Sequence, residues 1–208
     1  MIKAAIFDMD GTLIDSMPYW NNLSIEFLQS KGITEIDENI WDIVESMTMR
    51  DVAEYFKKRY GIPMTYEEMK TEMNAIMQRH YEEDVPLKKK AIPLLKKMHD
   101  EKIKMAVASA TDERLMRICL ARLGVLDYFD EILSCETLHT TKKQPLIYQK
   151  AAELLGATTE ETAVYEDALY AATTAKNAGF YVVGIKDYQS EAEMEGLIKT
   201  VDEMLSLE

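Results

Sequence analysis

Ala4-Ala5-Ile6-Phe7-Asp8-Met9-Asp10-Gly11-Thr12 decides how this chain reads. Its first four residues are apolar and strand-like, and the run predicts a buried strand over Lys3–Met9 that ends in two carboxylates one residue apart. Side chains at i and i+2 on a strand point to one face, and Gly11 lets the chain turn sharply. Such a site suits a divalent cation, with one carboxylate as nucleophile and the other as proton donor.

Further apolar runs follow at Met105–Ala110, Glu131–Cys135, Thr162–Tyr165 and Tyr181–Ile185. Each is short and continuous, as expected for parallel strands buried on both faces. Helical segments at Ala91–Asp100, Asp112–Leu123, Leu146–Leu155, Ala168–Ala178 and Glu191–Lys199 alternate with them. The alternation predicts an α/β fold built on an open, Rossmann-like parallel sheet. Between Pro18 and Leu87 the pattern changes and no strand is expected. Trp20, Leu23 and Phe27 have helical spacing, as do Val52, Phe56 and Tyr60, and Met69, Met73, Ile76, Met77 and His80 form an amphipathic stripe. Gly32, Gly61 and Pro63 punctuate these helices. The expected organisation is an α/β core over residues 1–15 and 89–208, with an all-helical cap inserted over residues 16–88.

A chain of 208 residues suits one large domain or a domain with an insert, and 47% hydrophobic residues suffice for a sizeable core. A net charge of −13 argues against non-specific binding to nucleic acid or to an anionic membrane. It leaves room for a small anionic substrate, because a metal and a few lysines reverse the local field. Cys119 and Cys135 lie in apolar surroundings without metal-like spacing and read as reduced core residues. Ile2 and Lys3 lead straight into the first strand, leaving no room for a signal peptide, so a cytoplasmic location is expected.

Ligands of open α/β sheets bind beyond the carboxyl ends of the strands. The first strand ends in Asp8 and Asp10 and the second in Ser109-Ala110-Thr111; Lys142, next to Lys143, follows the third, and the fourth ends in Glu166-Asp167. Carboxylates on two strand ends suit Mg²⁺, which prefers oxygen ligands, and the hydroxyl and the lysine suit phosphate oxygens. In this order the residues resemble the four motifs of the haloacid dehalogenase superfamily. The helical insert resembles the cap of the subgroup containing β-phosphoglucomutase and phosphoglycolate phosphatase. Asp8-Met9-Asp10-Gly11-Thr12-Leu13-Ile14-Asp15-Ser16 matches the first motif residue for residue, and Ser109 matches the second. Lys142 matches the third in the register set by Pro145, Ile147 and Tyr148, and Glu166-Asp167 with Ala175 and Ala178-Gly179 matches the fourth.

The resemblance implies a Mg²⁺-dependent phosphatase of a small phosphorylated metabolite. Asp8 would attack phosphorus to form an aspartyl-phosphate, and Asp10 would act as general acid and then base. Asp8, the Asp10 carbonyl and Asp167 would hold the metal, with Glu166 as a further ligand or as a support for the ligands. Met9 and Ala110 amides, Thr12, Ser109 and Lys142 would serve the phosphate, and Arg50, with Ser46 and Thr48 between two cap helices, would select the substrate. The cap, joined near Ile14–Pro18 and Val85–Lys90, would close as a lid. A monomer is expected. Lys143 and Leu146 replace the usual proline and aspartate of the third motif, so Lys142 and Lys143 are alternatives for the phosphate contact. Trp20 stands where mutases of the subgroup often carry histidine, which disfavours a phosphomutase; a phospho-accepting signalling domain is the third reading. Plainer readings compete at single residues. Ser109 alone is a helix N-cap, Lys142 a surface lysine, Glu166-Asp167 a helix start, and Arg50 a surface residue beginning a helix. His80, His99 and His139 are expected on helix or loop surfaces, and Asp202–Glu208 in a solvated last helix.

Overall fold

The computed structural model describes residues 1–44 and 47–208, so Ser46 lies outside the described residues. In chain order the principal elements are β1 (Ala4–Phe7), α1 (Met17–Ser30), α2 (Ile40–Val44), α3 (Met49–Tyr60), α4 (Tyr66–Glu83), α5 (Ala91–Asp100), β2 (Lys104–Ser109) and α6 (Glu113–Arg122). They continue with β3 (Glu131–Ser134), α7 (Leu146–Leu154), β4 (Thr162–Glu166), α8 (Leu169–Asn177), β5 (Tyr181–Ile185), α9 (Glu191–Thr200) and β6 (Glu203–Leu205). Two compact units result: Met1–Ser16 with Val85–Glu208, and Met17–Asp84. The return segment stays with the first unit from Val85, because Asp15 donates its amide to Pro86 and Lys88 to Leu13, both at 2.9 Å.

The first unit is a six-stranded sheet in the order β3-β2-β1-β4-β5-β6, with every pairing parallel. β1 is central and wholly buried. Phe7 stacks on Tyr165 of β4 at 4.4 Å between centroids and meets Phe129 edge-on at 6.1 Å. Such aromatic contacts add to area burial, and they lock the two strands whose ends carry Asp8 and Glu166. Ile6, Ala106, Val164 and Val182 share one core cluster with Ile147, Tyr148 and Ala151 of α7 and Ala172 and Ala175 of α8. The alanines of α8 let that helix lie close to the sheet.

The tail departs from expectation. Instead of a solvated helix over Asp202–Glu208, β6 extends the sheet beside β5 and Leu207 is buried. The helix ends because Val201 is extended. Asp202 then exchanges two bonds with Val182: its amide donates to the Val182 carbonyl and its carboxylate accepts the Val182 amide, both at 2.8 Å. Gly184 makes the room, since a Cβ there would lie 2.5 Å from Met204 Sδ.

Among its described residues, the second unit has helices and no strand. Thr48 and Thr65 each cap a helix reciprocally with the acid three residues on, Asp51 and Glu68. Met69, Met73 and Met77 of α4 are buried, as the stripe implied. His80 is on the same stripe and is buried too, contrary to its expected surface position. Its Nδ1 lies 2.8 Å from Asp84, its Nε2 lies 2.9 Å from Glu26 of α1, and the Tyr19 ring is 4.8 Å away. Asp37, in the segment after α1, accepts from Arg59 Nε at 2.9 Å, Tyr60 at 2.9 Å and Tyr55 at 3.1 Å. These bonds, the Arg59 one foremost, hold its carboxyl down at about 2.

A carboxyl held below its unfolded value contributes stability that is present above the unfolded pKa and lost as the pH falls through the folded one. The urea midpoint of Asp37→Asn is therefore expected to lie below that of the parent by a constant margin from neutral pH down to about 4, and the margin is expected to shrink between about 4 and 2. A margin unchanged at low pH would show that the ionised carboxylate is not the stabilising species.

Candidate active site

Phe7 is in register with Val107 on one side and Tyr165 on the other, so the carboxyl ends of β2, β1 and β4 lie side by side. The chain runs from β1 outward to β2 and β3, then returns to β4 on the other flank. Such a reversal of strand order is the usual ligand position in open α/β sheets.

Strand β1 stops at Phe7, short of the expected Met9. Asp8 and Asp10 are thus related by a turn, not by the pleat of a strand. Asp8 still donates its amide to Tyr165 at 2.9 Å, which keeps β1 and β4 joined. Beyond it the Met9 carbonyl accepts the amides of Thr12, Leu13 and Ile14 at 3.3, 2.9 and 3.1 Å. Gly11 is required twice. Its φ of +77° is the left-handed region, and a Cβ would lie 2.5 Å from Asp167 Oδ2 and 2.8 Å from Asp187 Oδ2.

Lys142 is buried, with its ammonium on Asp8 Oδ1 and, at 2.5 Å, on Glu166 Oε1. Tyr148 donates to the same Glu166 oxygen at 2.7 Å. Asp167 Oδ1 accepts the Thr12 hydroxyl at 2.9 Å. Asp10 Oδ2 accepts the Thr111 hydroxyl at 2.7 Å, and Ser109 Oγ accepts the Thr111 amide at 3.2 Å. Burial pushes the Asp8 carboxyl well above its ordinary value, outweighing the attraction of Lys142. Asp167 is pushed up to about 7, by burial first and by Glu166 second, against the pull of Lys142 and the Thr12 bond. Lys142 loses from burial but is held above its ordinary value by Asp8 and Glu166. Three acids around one ammonium leave the cluster short of positive charge.

Oxygens of Asp8, Glu166 and Asp167 all lie within 4.8 Å of one another. An all-oxygen, anionic donor set fits a hard divalent cation such as Mg²⁺. The Asp10 carboxylate is outside this group, so its part in metal binding would rest on its backbone carbonyl.

The sequence-expected residues divide into two sets. Lys142 bonds Asp8 and Glu166, and the Asp167–Thr12 pair lies beside them with its carboxylate within 4.8 Å of theirs; Asp10, Thr111 and Ser109 form a second set that joins the turn after β1 to the end of β2. Lys143 is exposed, whereas Lys142 is buried on Asp8. Ser109 does not cap α6; Asp112 does, accepting from Leu115 at 3.1 Å. Met9 is fully buried and enters through its backbone, and Ala110 is exposed just past β2. Arg50 belongs to the helical unit, in the first turn of α3, with its guanidinium 4.6 Å above the Tyr66 ring. Sequence reasoning passed over Tyr148 as a partner of Glu166, Thr111 as a partner of Asp10, and Asp187 beside Gly11. Only the motif register of Tyr148 hinted at the first.

Among the described residues no helix is long and apolar enough to cross a membrane. A family model described as haloacid dehalogenase-like hydrolase matches residues 5–185. A phosphorylated carbohydrates phosphatase of Thermotoga maritima is 27% identical over 190 residues, covering 86% of this chain and 82% of that protein. A β-phosphoglucomutase of Bacillus subtilis is 28% identical over 198 residues, covering 88% and 83%. The crystal structure of a candidate β-phosphoglucomutase from Thermotoga maritima superposes with a TM-score of 0.85 at 23% identity, over 99% of this chain and 95% of that one. At that identity the likeness concerns the fold.

Tyr148→Phe removes a buried hydrogen bond to a carboxylate. It is expected to destabilise the protein by about 1.5–3 kcal/mol, read as a lower urea midpoint with an unchanged m-value. No change in midpoint would mean that the phenol does not support Glu166.

Proposed function

The chain belongs to the haloacid dehalogenase-like hydrolases, and from that footing we propose that it is a Mg²⁺-dependent phosphatase of small phosphorylated carbohydrates, working through an aspartyl-phosphate on Asp8. The observation that carries this is the buried contact of Asp8 with Lys142, beside Glu166 and Asp167, at the end of the central strand. The name of the Thermotoga maritima relative supports the substrate class, as does that of the hexitol phosphatase B of Escherichia coli, 27% identical over 186 residues.

In this reading Lys142 and the Ser109 hydroxyl bind phosphate oxygens, helped by the amides of Met9 and Ala110. Thr12 acts through Asp167, which it holds by a hydrogen bond. An Asp8 oxygen attacks phosphorus; the new P–O bond forms as the ester P–O bond breaks. Asp10 gives its proton to the departing alkoxide and then takes one from the water that attacks the phospho-aspartate. Inorganic phosphate leaves and Asp8 is regenerated. The Thr111 hydroxyl holds the Asp10 carboxyl through both transfers. Asp8, Asp167 and Glu166, with the Asp10 carbonyl, would hold Mg²⁺, which when bound would offset the repulsion between an anionic nucleophile and an anionic substrate. Lys142 contributes the same kind of stabilisation from the protein side. Arg50 and Thr48 are assigned to substrate selection, and the helical insert over residues 16–88 to covering the core over 1–15 and 89–208. A monomer acting in the cytoplasm completes the reading.

A phosphomutase is the second reading, favoured by the match to the Bacillus subtilis β-phosphoglucomutase. Phosphate release with Mg²⁺ over a panel of sugar phosphates, phosphoglycolate and pyrophosphate separates the two. The phosphatase reading predicts turnover confined to a few sugar phosphates and abolished by EDTA. Asp10→Ala is expected to lower it by about 10²–10⁴-fold, and Asp8→Asn to abolish it. Isomerisation of β-glucose 1-phosphate with a bisphosphate primer and little free phosphate would make it a mutase instead.

A further inference from the structure

The α/β unit buries a second ion pair. Lys88 bonds Asp187 Oδ1, and both side chains are only 2% exposed. Lysine is rarely so buried without a partner, and desolvating two charges is offset only when the geometry is good and other bonds complete it. Both partners are anchored. The Lys88 amide donates to Leu13 in the turn that follows Asp8, and Ile14 bridges Leu87 in antiparallel fashion. The Asp187 amide donates to Gln189 Oε1 at 2.7 Å, and Gln189 Nε2 donates to the carbonyls of Ile185 at 2.8 Å and Asp167 at 2.9 Å.

The remaining oxygen of Asp187 faces the active site. Asp187 Oδ2 and Asp167 Oδ2 border the same point above Gly11, at 2.8 and 2.5 Å. Two carboxylates thus flank one glycine, and Lys88 draws the charge of Asp187 toward the return segment, away from Asp167. Nothing in the reaction chemistry uses either Lys88 or Asp187.

We propose that Asp187, fixed by Lys88, is a positioning residue for Asp167: it fills the space beside Gly11 and restricts the Asp167 carboxylate to the orientation in which it can share a cation with Asp8 and Glu166. The inference rests on the reading of Asp167 as a metal ligand. Isothermal titration of the full chain with MgCl₂ alone tests it, with thermal melts to confirm folding.

Partners of a metal ligand typically alter metal affinity by about 10–100-fold, so Asp187→Ala is expected to weaken Mg²⁺ binding by about tenfold or more. Asp187→Asn keeps the size and an acceptor for Lys88, and is expected to stay within about threefold of the parent. Lys88→Met breaks the pair from the other side and is expected to weaken binding as well; it carries the test if Asp187→Ala does not fold. Folded Asp187→Ala or Lys88→Met with parental Mg²⁺ affinity would overturn the proposal, as would Asp187→Asn binding as poorly as Asp187→Ala. Asp167→Ala separates the two levels: parental affinity in that variant would overturn the ligand reading itself.

Discussion

The structure turns on the electrostatics of one buried ammonium. Lys142 sits against Asp8 and Glu166, with Asp167 alongside, in a place where each charge is expensive to hold without a partner. Everything nearby serves to keep those groups together. The stacked rings of Phe7 and Tyr165 lock β1 to β4, Tyr148 supplies a second donor to Glu166, and Thr12 holds Asp167. The cluster stays short of positive charge, a deficit that under the proposed function would be met by a divalent cation beside Lys142.

Much of this was legible in the sequence because the chemistry is concentrated at strand ends. A buried strand running into two acids and a glycine, and a later strand ending in Glu166-Asp167, locate one crevice in any sheet that sets the two strands side by side. Periodicity also separated the helical insert, whose Met69, Met73 and Met77 are buried on one face of α4. What failed had physical causes. The last strand is three residues long and gains its place through Asp202 and the space above Gly184, features invisible to a search for apolar runs. A histidine expected on a helix surface, His80, is buried because Glu26 and Asp84 supply partners for both ring nitrogens.

The site itself was readable in its acids and not in its supports. Thr111, Tyr148, Lys88 and Asp187 meet their partners through contacts between residues far apart in the chain, and a lysine in a run of three looks solvated until the partner that buries it is known. Gly11 shows the same point from the other side. Its turn role follows from the Asp-Gly-Thr sequence, but the close approach of Asp167 and Asp187 does not.

Phosphoryl transfer to Asp8 is the claim on which the rest depends. Turnover of a sugar phosphate found to be a substrate, quenched in acid, reduced with borohydride and digested for mass spectrometry, tests it most directly. The expected result is reduction of the carboxyl at position 8 to the homoserine alcohol, dependent on substrate and absent from Asp8→Asn. Full turnover with no modification at position 8, or with the label on another residue, would contradict it.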